Sequence, residues 1–163
     1  MLQVMKMKRN KKLTYAITIL IALAVGGVGA WINAGSMQIS GRYIQPPLSP
    51  PALLFPIVWT VLYTLMGISS AKVALSECGE KSDALFIYAV QLAVNLLWTV
   101  FFFRFGALFL SFLWLIFLIL LVLLMIVRFH RCCETAAKLQ LPYFAWLCFA
   151  AYLNLALCLL NRS

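Results

Sequence analysis

Apolar residues run along this chain in five long blocks, and charged residues fall almost only between them. The stretches Leu13–Gly41, Tyr43–Ala71, Ala84–Phe103, Phe105–Val127 and Leu139–Asn161 contain no Asp, Glu, Lys or Arg. Each can hold the ~20 apolar residues that an α-helix needs to cross a bilayer. Polar and apolar positions do not alternate in segments of about 10 residues, as a membrane β-barrel would require. The pattern therefore predicts an all-α membrane protein, a bundle of five transmembrane helices. The spans fall at about 13–33, 51–74, 83–103, 107–127 and 139–161. Residues 1–12 form a basic tail, and residues 13–163 form a single membrane domain.

Helical spacing sorts the less apolar residues into stripes. In span one, Thr18, Ala22, Gly26, Gly29, Ala30 and Asn33 share a face. Small residues let a neighbouring helix approach closely, either within the bundle or across a homodimer seam. Span two carries Pro56, Trp59, Tyr63, Met66, Gly67 and Ser70 on one face. Ser82 or Asp83 suits the N-cap of span three. That span aligns Tyr88, Gln91, Asn95, Trp98 and Phe102 within an arc of about 80°. Gln91 and Asn95 are the most polar residues deep in any span, so they face the bundle interior, as interhelical hydrogen-bonding groups or as part of a cavity. Span four, with Ser111 as its single hydroxyl, reads as a lipid-facing strut in which Trp114 packs or marks the interface. Span five opens with Pro142 and aligns Tyr143, Trp146, Ala150, Asn154 and Asn161.

Four of the six prolines lie between Pro46 and Pro51, just before span two. Proline fixes φ and lacks an N–H, so this run should be a stiff, extended strap, with Pro51 in the first turn of the helix. The connection from Ala34 to Pro50 is long for so small a protein, and long loops are often lids.

Charge orients the spans. The net charge is +9, and hydrophobic residues make up 65% of the chain. Lys6, Lys8, Arg9, Lys11, Lys12, Lys72, Lys81, Arg128, Arg131 and Lys138 fall on the N-terminal side, against Arg42, Arg104 and Arg162 on the other. The positive-inside rule then puts the N-terminus in the cytoplasm and the C-terminus outside. The basic tail is expected to meet anionic lipid rather than nucleic acid, since no nucleic-acid-binding module accompanies it. The first apolar run is too long for a signal-peptide core, so it reads as a retained span. Cys78, Cys132 and Cys133 fall on the cytoplasmic side and are expected to be reduced, while Cys148 and Cys158 serve as small apolar fillers. The lone His130 beside Cys132-Cys133 completes no metal set.

Catalytic groups are missing from the spans. They hold no carboxylate for ion coupling and no Ser/His/Asp set. What remains is a set of tryptophans, tyrosines and amides on the inward faces of spans two, three and five. Such a cavity suits a large, flat, mostly apolar ligand, stacked by indoles and hydrogen-bonded by amides. Plain core packing of the aromatic rings is the competing reading.

Three blocks carry a resemblance to a known family. They are P-P-L-S-P-P-A-L-L-F-P-I-V-W-T-V-L-Y (46–63), Q-L-A-V-N-L-L-W-T-V-F-F-F (91–103) and P-Y-F-A-W-L-C-F-A-A-Y-L-N (142–154). In order and spacing they resemble the TspO/MBR family of translocator proteins and tryptophan-rich sensory proteins. The resemblance implies a homodimeric five-helix protein of a bacterial cell membrane, with a pocket beneath the first loop. The implied ligand is a porphyrin such as protoporphyrin IX or haem, with no cofactor required. Tyr43, Trp59, Tyr63, Gln91, Asn95, Trp98, Tyr143, Trp146, Ala150 and Asn154 are the expected ligand-binding residues. Light-dependent porphyrin degradation, with Trp59 and Trp146 as the reactive pair, is the enzymatic alternative. A membrane interaction protein without a small ligand is the other. The chain departs from the family where Ile39-Ser40 and Gln45-Pro46 replace W-Y and K-P, leaving Tyr43 as the nearby aromatic residue. Arg162 lies ten positions after Tyr152, too far for the cholesterol-recognition pattern.

Overall fold

A computed structural model of the protein describes residues 10–36 and 43–161. The basic residues of the tail up to Arg9, the Ile39-Ser40 departure, Arg42 and Arg162 lie outside the described residues. The helices are α1 (Lys11–Ile32), α2 (Leu54–Leu75), α3 (Lys81–Thr99), α4 (Leu108–Cys132), α5 (Glu134–Leu139) and α6 (Leu141–Leu160). A π-helical turn, Val100–Arg104, extends α3. Among the described residues, five spans are long and apolar enough to cross a membrane, the fifth being α5 and α6 together. The all-α expectation holds, and the protein is an integral membrane protein.

Several boundaries differ from the sequence reading. α2 begins at Leu54, so Pro51 stands before it and Pro56 occupies its first turn. The cap of α3 is Glu80, not Ser82 or Asp83, and Asp83 lies in the first helical turn. α4 continues past Val127 to Cys132, and α5 occupies most of what read as loop. A helix tolerates charged side chains once it leaves the hydrocarbon, so charge marks the membrane boundary and not the helix end.

α1 packs between α2 and α3, and α4 between α3 and α6. The small-residue face of α1 is used within the chain. A Cβ added at Gly67 would lie 2.5 Å from the Ile19 Cα, so only glycine permits this α1–α2 approach. Thr18 Oγ1 donates to the Gly67 carbonyl at 2.8 Å at the same crossing. Nearer the strap, the Tyr63 ring occupies the space beside Gly26.

α4 is more than a lipid-facing strut. Ser111, Leu115, Leu118, Val122, Met125 and Phe129 are buried at alternating four- and three-residue steps. The Trp114 indole donates to the Val94 carbonyl at 2.8 Å, tying α4 to α3. The sequence hid this face because α4 is apolar all round, and hydropathy cannot separate protein from lipid as the surrounding medium.

The strap is also not uniformly extended. Ser49 N–H donates to the Pro46 carbonyl at 3.3 Å, closing a turn. Leu48 takes φ 69° there, a left-handed conformation unusual for a branched side chain. Proline fixes its own φ but leaves that of Leu48 free.

At the opposite end, Cys78 and Cys132 form a disulfide, with Cα atoms 5.1 Å apart. This corrects the expectation that Cys78 and Cys132 are reduced, whereas Cys133 is a free thiol. The pair is 54 residues apart in sequence, and the extension of α4 carries Cys132 to the α2–α3 turn. Local cysteine spacing cannot register such a pairing. Glu80 joins the same two elements, lying 3.6 Å from both Arg128 and Arg131.

Candidate functional site

Beneath the strap, two cavities meet at a shared wall of Phe55, Trp59, Trp98 and Phe103. The first, about 200 Å³, is roofed by Gln45, Ser49, Pro50 and Ala52. Phe102 closes one side, and Ala150, Leu153, Asn154 and Leu157 of α6 form the other. The second, about 290 Å³, lies between α1 and α2, against Gly26, Gly29, Ala30, Asn33 and Tyr63. Exposed Gly27, Ala30, Pro56 and Thr60 form its mouth on the outside of the bundle. Gly26 and Gly29 of its lining are in close contact with the Tyr63 ring and Leu96, while nothing stands within 4 Å of the position a Cβ on Gly27 would take, at the mouth.

The wall is aromatic. Trp59 and Trp98 have ring centroids 6.4 Å apart, and Trp59 also lies 5.4 Å from Tyr63 and 6.2 Å from Tyr143. Trp98 stacks on Phe102 at 5.4 Å and meets Phe103 edge-on at 6.3 Å. On an ideal α-helix Phe103 would point well away from Trp98. The π-turn brings position i+5 back under position i, so both rings line the cavities. A 100° helical wheel could not place Phe103 there.

Both linings lack charged residues but contain unsatisfied polar atoms. Trp98 Nε1, Asn154 Oδ1 and Asn33 Oδ1 are buried without a hydrogen-bond partner. Leaving such a group unpaired costs about 1–3 kcal/mol. The opposite atoms of the amides are engaged. Asn154 Nδ2 donates to Ser111 Oγ at 3.1 Å, and Asn33 Nδ2 to the Gly29 carbonyl at 2.7 Å. One donor and two acceptors thus stay unpaired on residues that line the cavities, a combination of apolar wall and few polar groups suited to a largely apolar ligand with a few polar edges.

The sequence-derived residues divide. Trp59, Tyr63, Trp98, Ala150 and Asn154 line one or both cavities. Gln91 does not: its Oε1 accepts from Tyr143 Oη at 3.0 Å and its Nε2 contacts Met66 sulfur at 3.8 Å. Asn95 donates to Tyr63 Oη at 2.9 Å, holding the ring beside Gly26. Gln91, Asn95 and Tyr143 thus act as interhelical polar contacts behind the wall. Trp146 stands behind Phe55, at 5.9 Å, and lines neither cavity. Tyr43 lies against Gly106, in the turn between the π-turn and α4. Missed from sequence were Phe55, Phe103 and the whole α1 side. For α1 the signal was present, because Gly26, Gly29 and Asn33 were recognised as one face but assigned to packing alone.

The strap is held over this end by side chains from α6. Asn161 exchanges two hydrogen bonds with the backbone of Ile44, and Tyr152 Oη donates to the Pro47 carbonyl at 3.2 Å.

Known proteins are similar to this chain in sequence. The chain is 33% identical over 158 residues to the tryptophan-rich protein TspO of Chlorobaculum tepidum, covering 93% of this chain and 99% of that protein. It is 34% identical to protein CrtK of Rhodobacter capsulatus, over 90% of this chain and 92% of CrtK. The sheep (Ovis aries) translocator protein is 33% identical over 113 residues, 68% of this chain and 67% of the relative. The model of the TspO/MBR family matches residues 17–160, nearly the whole of the described chain, and this chain belongs to the TspO/MBR family.

Proposed function

We propose that this protein binds a porphyrin-type tetrapyrrole beneath its strap and acts as a membrane sensor or translocator, with its basic N-terminal end in the cytoplasm. The observation that carries the reading is the shared wall of Trp59 and Trp98, with the unpartnered Trp98 Nε1 and Asn154 Oδ1 beside it. Flat indole faces stack on a macrocycle, and buried unpaired polar atoms suit its polar edge. Relatives bear the names translocator protein and, in Cereibacter sphaeroides, tryptophan-rich sensory protein. Neither cavity alone reaches the ~300–1,000 Å³ common for ligand pockets. A macrocycle therefore needs both, and a rotation of Trp59 or Trp98 would join them.

The test is a titration of the purified protein in detergent with protoporphyrin IX, followed by tryptophan quenching. Saturable quenching, weakened in Trp59→Phe and Trp98→Phe but not in Trp31→Phe, is the expected result. Trp31 is 80% exposed and lines neither cavity, and it serves as the control. Equal affinity in all three variants and the unsubstituted protein would overturn the assignment.

A further inference from the structure

The end of the bundle opposite the strap holds a third cavity, of about 330 Å³, between the last turn of α4 and the corner where α5 meets α6. It is an open cleft in which buried Ala137 and partly buried Ile126 lie between half-exposed Val127 and Leu141, and its rim carries His130, Arg131 and Lys138. No carboxylate lines it. Arg131 lies 3.6 Å from Glu80, and Lys138 lies 2.6 Å from Glu134. Neither pair saturates its cation. A guanidinium has five N–H donors and an ammonium three, and Glu80 is shared with Arg128.

Depth in the bilayer gives this cleft its meaning. From Leu108 to Val127 α4 carries no charged residue, and those 20 residues rise about 30 Å, the thickness of the hydrocarbon core. His130 and Arg131 therefore leave the hydrocarbon within one turn, at the level of lipid phosphates. Along α4, Leu120, Leu123, Leu124 and Val127 stay exposed, an apolar track leading away from the cleft into the membrane.

We propose that this cleft is a binding site for one anionic phospholipid. The phosphate takes donors from Arg131 and Lys138, with His130 beside it, and an acyl chain follows the exposed side of α4. Basic pockets between spanning helices at this depth suit acidic headgroups, and the track excludes a purely soluble anion as the best fit.

The experiment is native mass spectrometry of the full protein extracted from bilayers of phosphatidylcholine with increasing phosphatidylglycerol. One retained phosphatidylglycerol, in preference to phosphatidylcholine, is expected. Arg131→Gln with Lys138→Gln should lower its occupancy about tenfold, while Arg131→Lys with Lys138→Arg should retain it. The control removes two charges outside the cleft at the same end, Lys11→Gln with Lys12→Gln, and should change little. Equal loss in the control would reduce the effect to diffuse surface charge and overturn the site. Displacement of the retained lipid by millimolar inorganic phosphate alone would instead assign a soluble anion. Leu141→Trp, which fills the cleft without touching its charges, should also reduce occupancy. Undiminished occupancy in a folded Leu141→Trp protein would likewise refute the proposal.

Discussion

Asn161, the residue that ends α6, grips the backbone of Ile44 with both ends of its amide. Its Oδ1 accepts from the Ile44 N–H at 2.9 Å, and its Nδ2 donates to the Ile44 carbonyl at 3.1 Å. The partners are 117 residues apart, so the end of the last span fastens the loop that follows the first. Each such bond contributes about 1 kcal/mol. Asn161→Ala is therefore expected to speed hydrogen exchange across residues 43–50 and to raise the protoporphyrin dissociation rate roughly 5–30-fold. Stopped-flow displacement reads the rate, and an unchanged rate with faster exchange would show that the strap does not gate the cavity.

The tryptophans give a second expectation, which separates sequence from structure. Trp146 fits the helical stripe of α6, but Trp98 stands in the cavity wall. Porphyrin affinity should therefore fall several-fold in Trp98→Phe, through loss of the indole N–H and stacking area, and by less in Trp146→Phe. The reverse order in a fluorescence titration would return Trp146 to the site.

Two glycines of the α1–α2 region should respond oppositely to alanine. At Gly67 the new methyl would meet the Ile19 backbone at 2.5 Å, and backbone cannot swing aside. Gly67→Ala should destabilise the bundle by about 1–3 kcal/mol. At Gly27 nothing lies within 4 Å of the added atom, so Gly27→Ala should be neutral or stabilise by up to about 1 kcal/mol. Thermal unfolding in detergent checks both, and similar melting of the two variants would contradict the close crossing.

Cysteine accessibility tests the opposite end. With Cys78 bonded to Cys132, denatured unreduced protein should take up three alkyl groups, at Cys133, Cys148 and Cys158. After reduction it should take up five. Five without reductant, read by intact mass, would show the thiols of this end to be free.

What the sequence determined by itself is the class, the five spans and the residues that share each helical face. Blocks of ~20 apolar residues bounded by charge allow few other folds in a bilayer, because each backbone polar group must be satisfied within its own helix. The aromatic and amide stripes were equally legible, because helical spacing is a local property. The tertiary structure decided which stripe members face space and which face one another. Gln91 accepts a hydrogen bond from Tyr143, and Asn95 donates to Tyr63 while its Oδ1 stays buried and unpaired. Phe103 entered the wall through a change of helical pitch at Val100–Arg104 that the apolar pattern does not encode. The α1 cavity depends on how α1 meets α2 and α3, in close contact at Gly67 and at Gly26, and the Cys78–Cys132 pairing on where α4 ends. Such features arise from contacts between residues distant in the chain, and in an apolar medium composition gives no sign of which helix faces will meet.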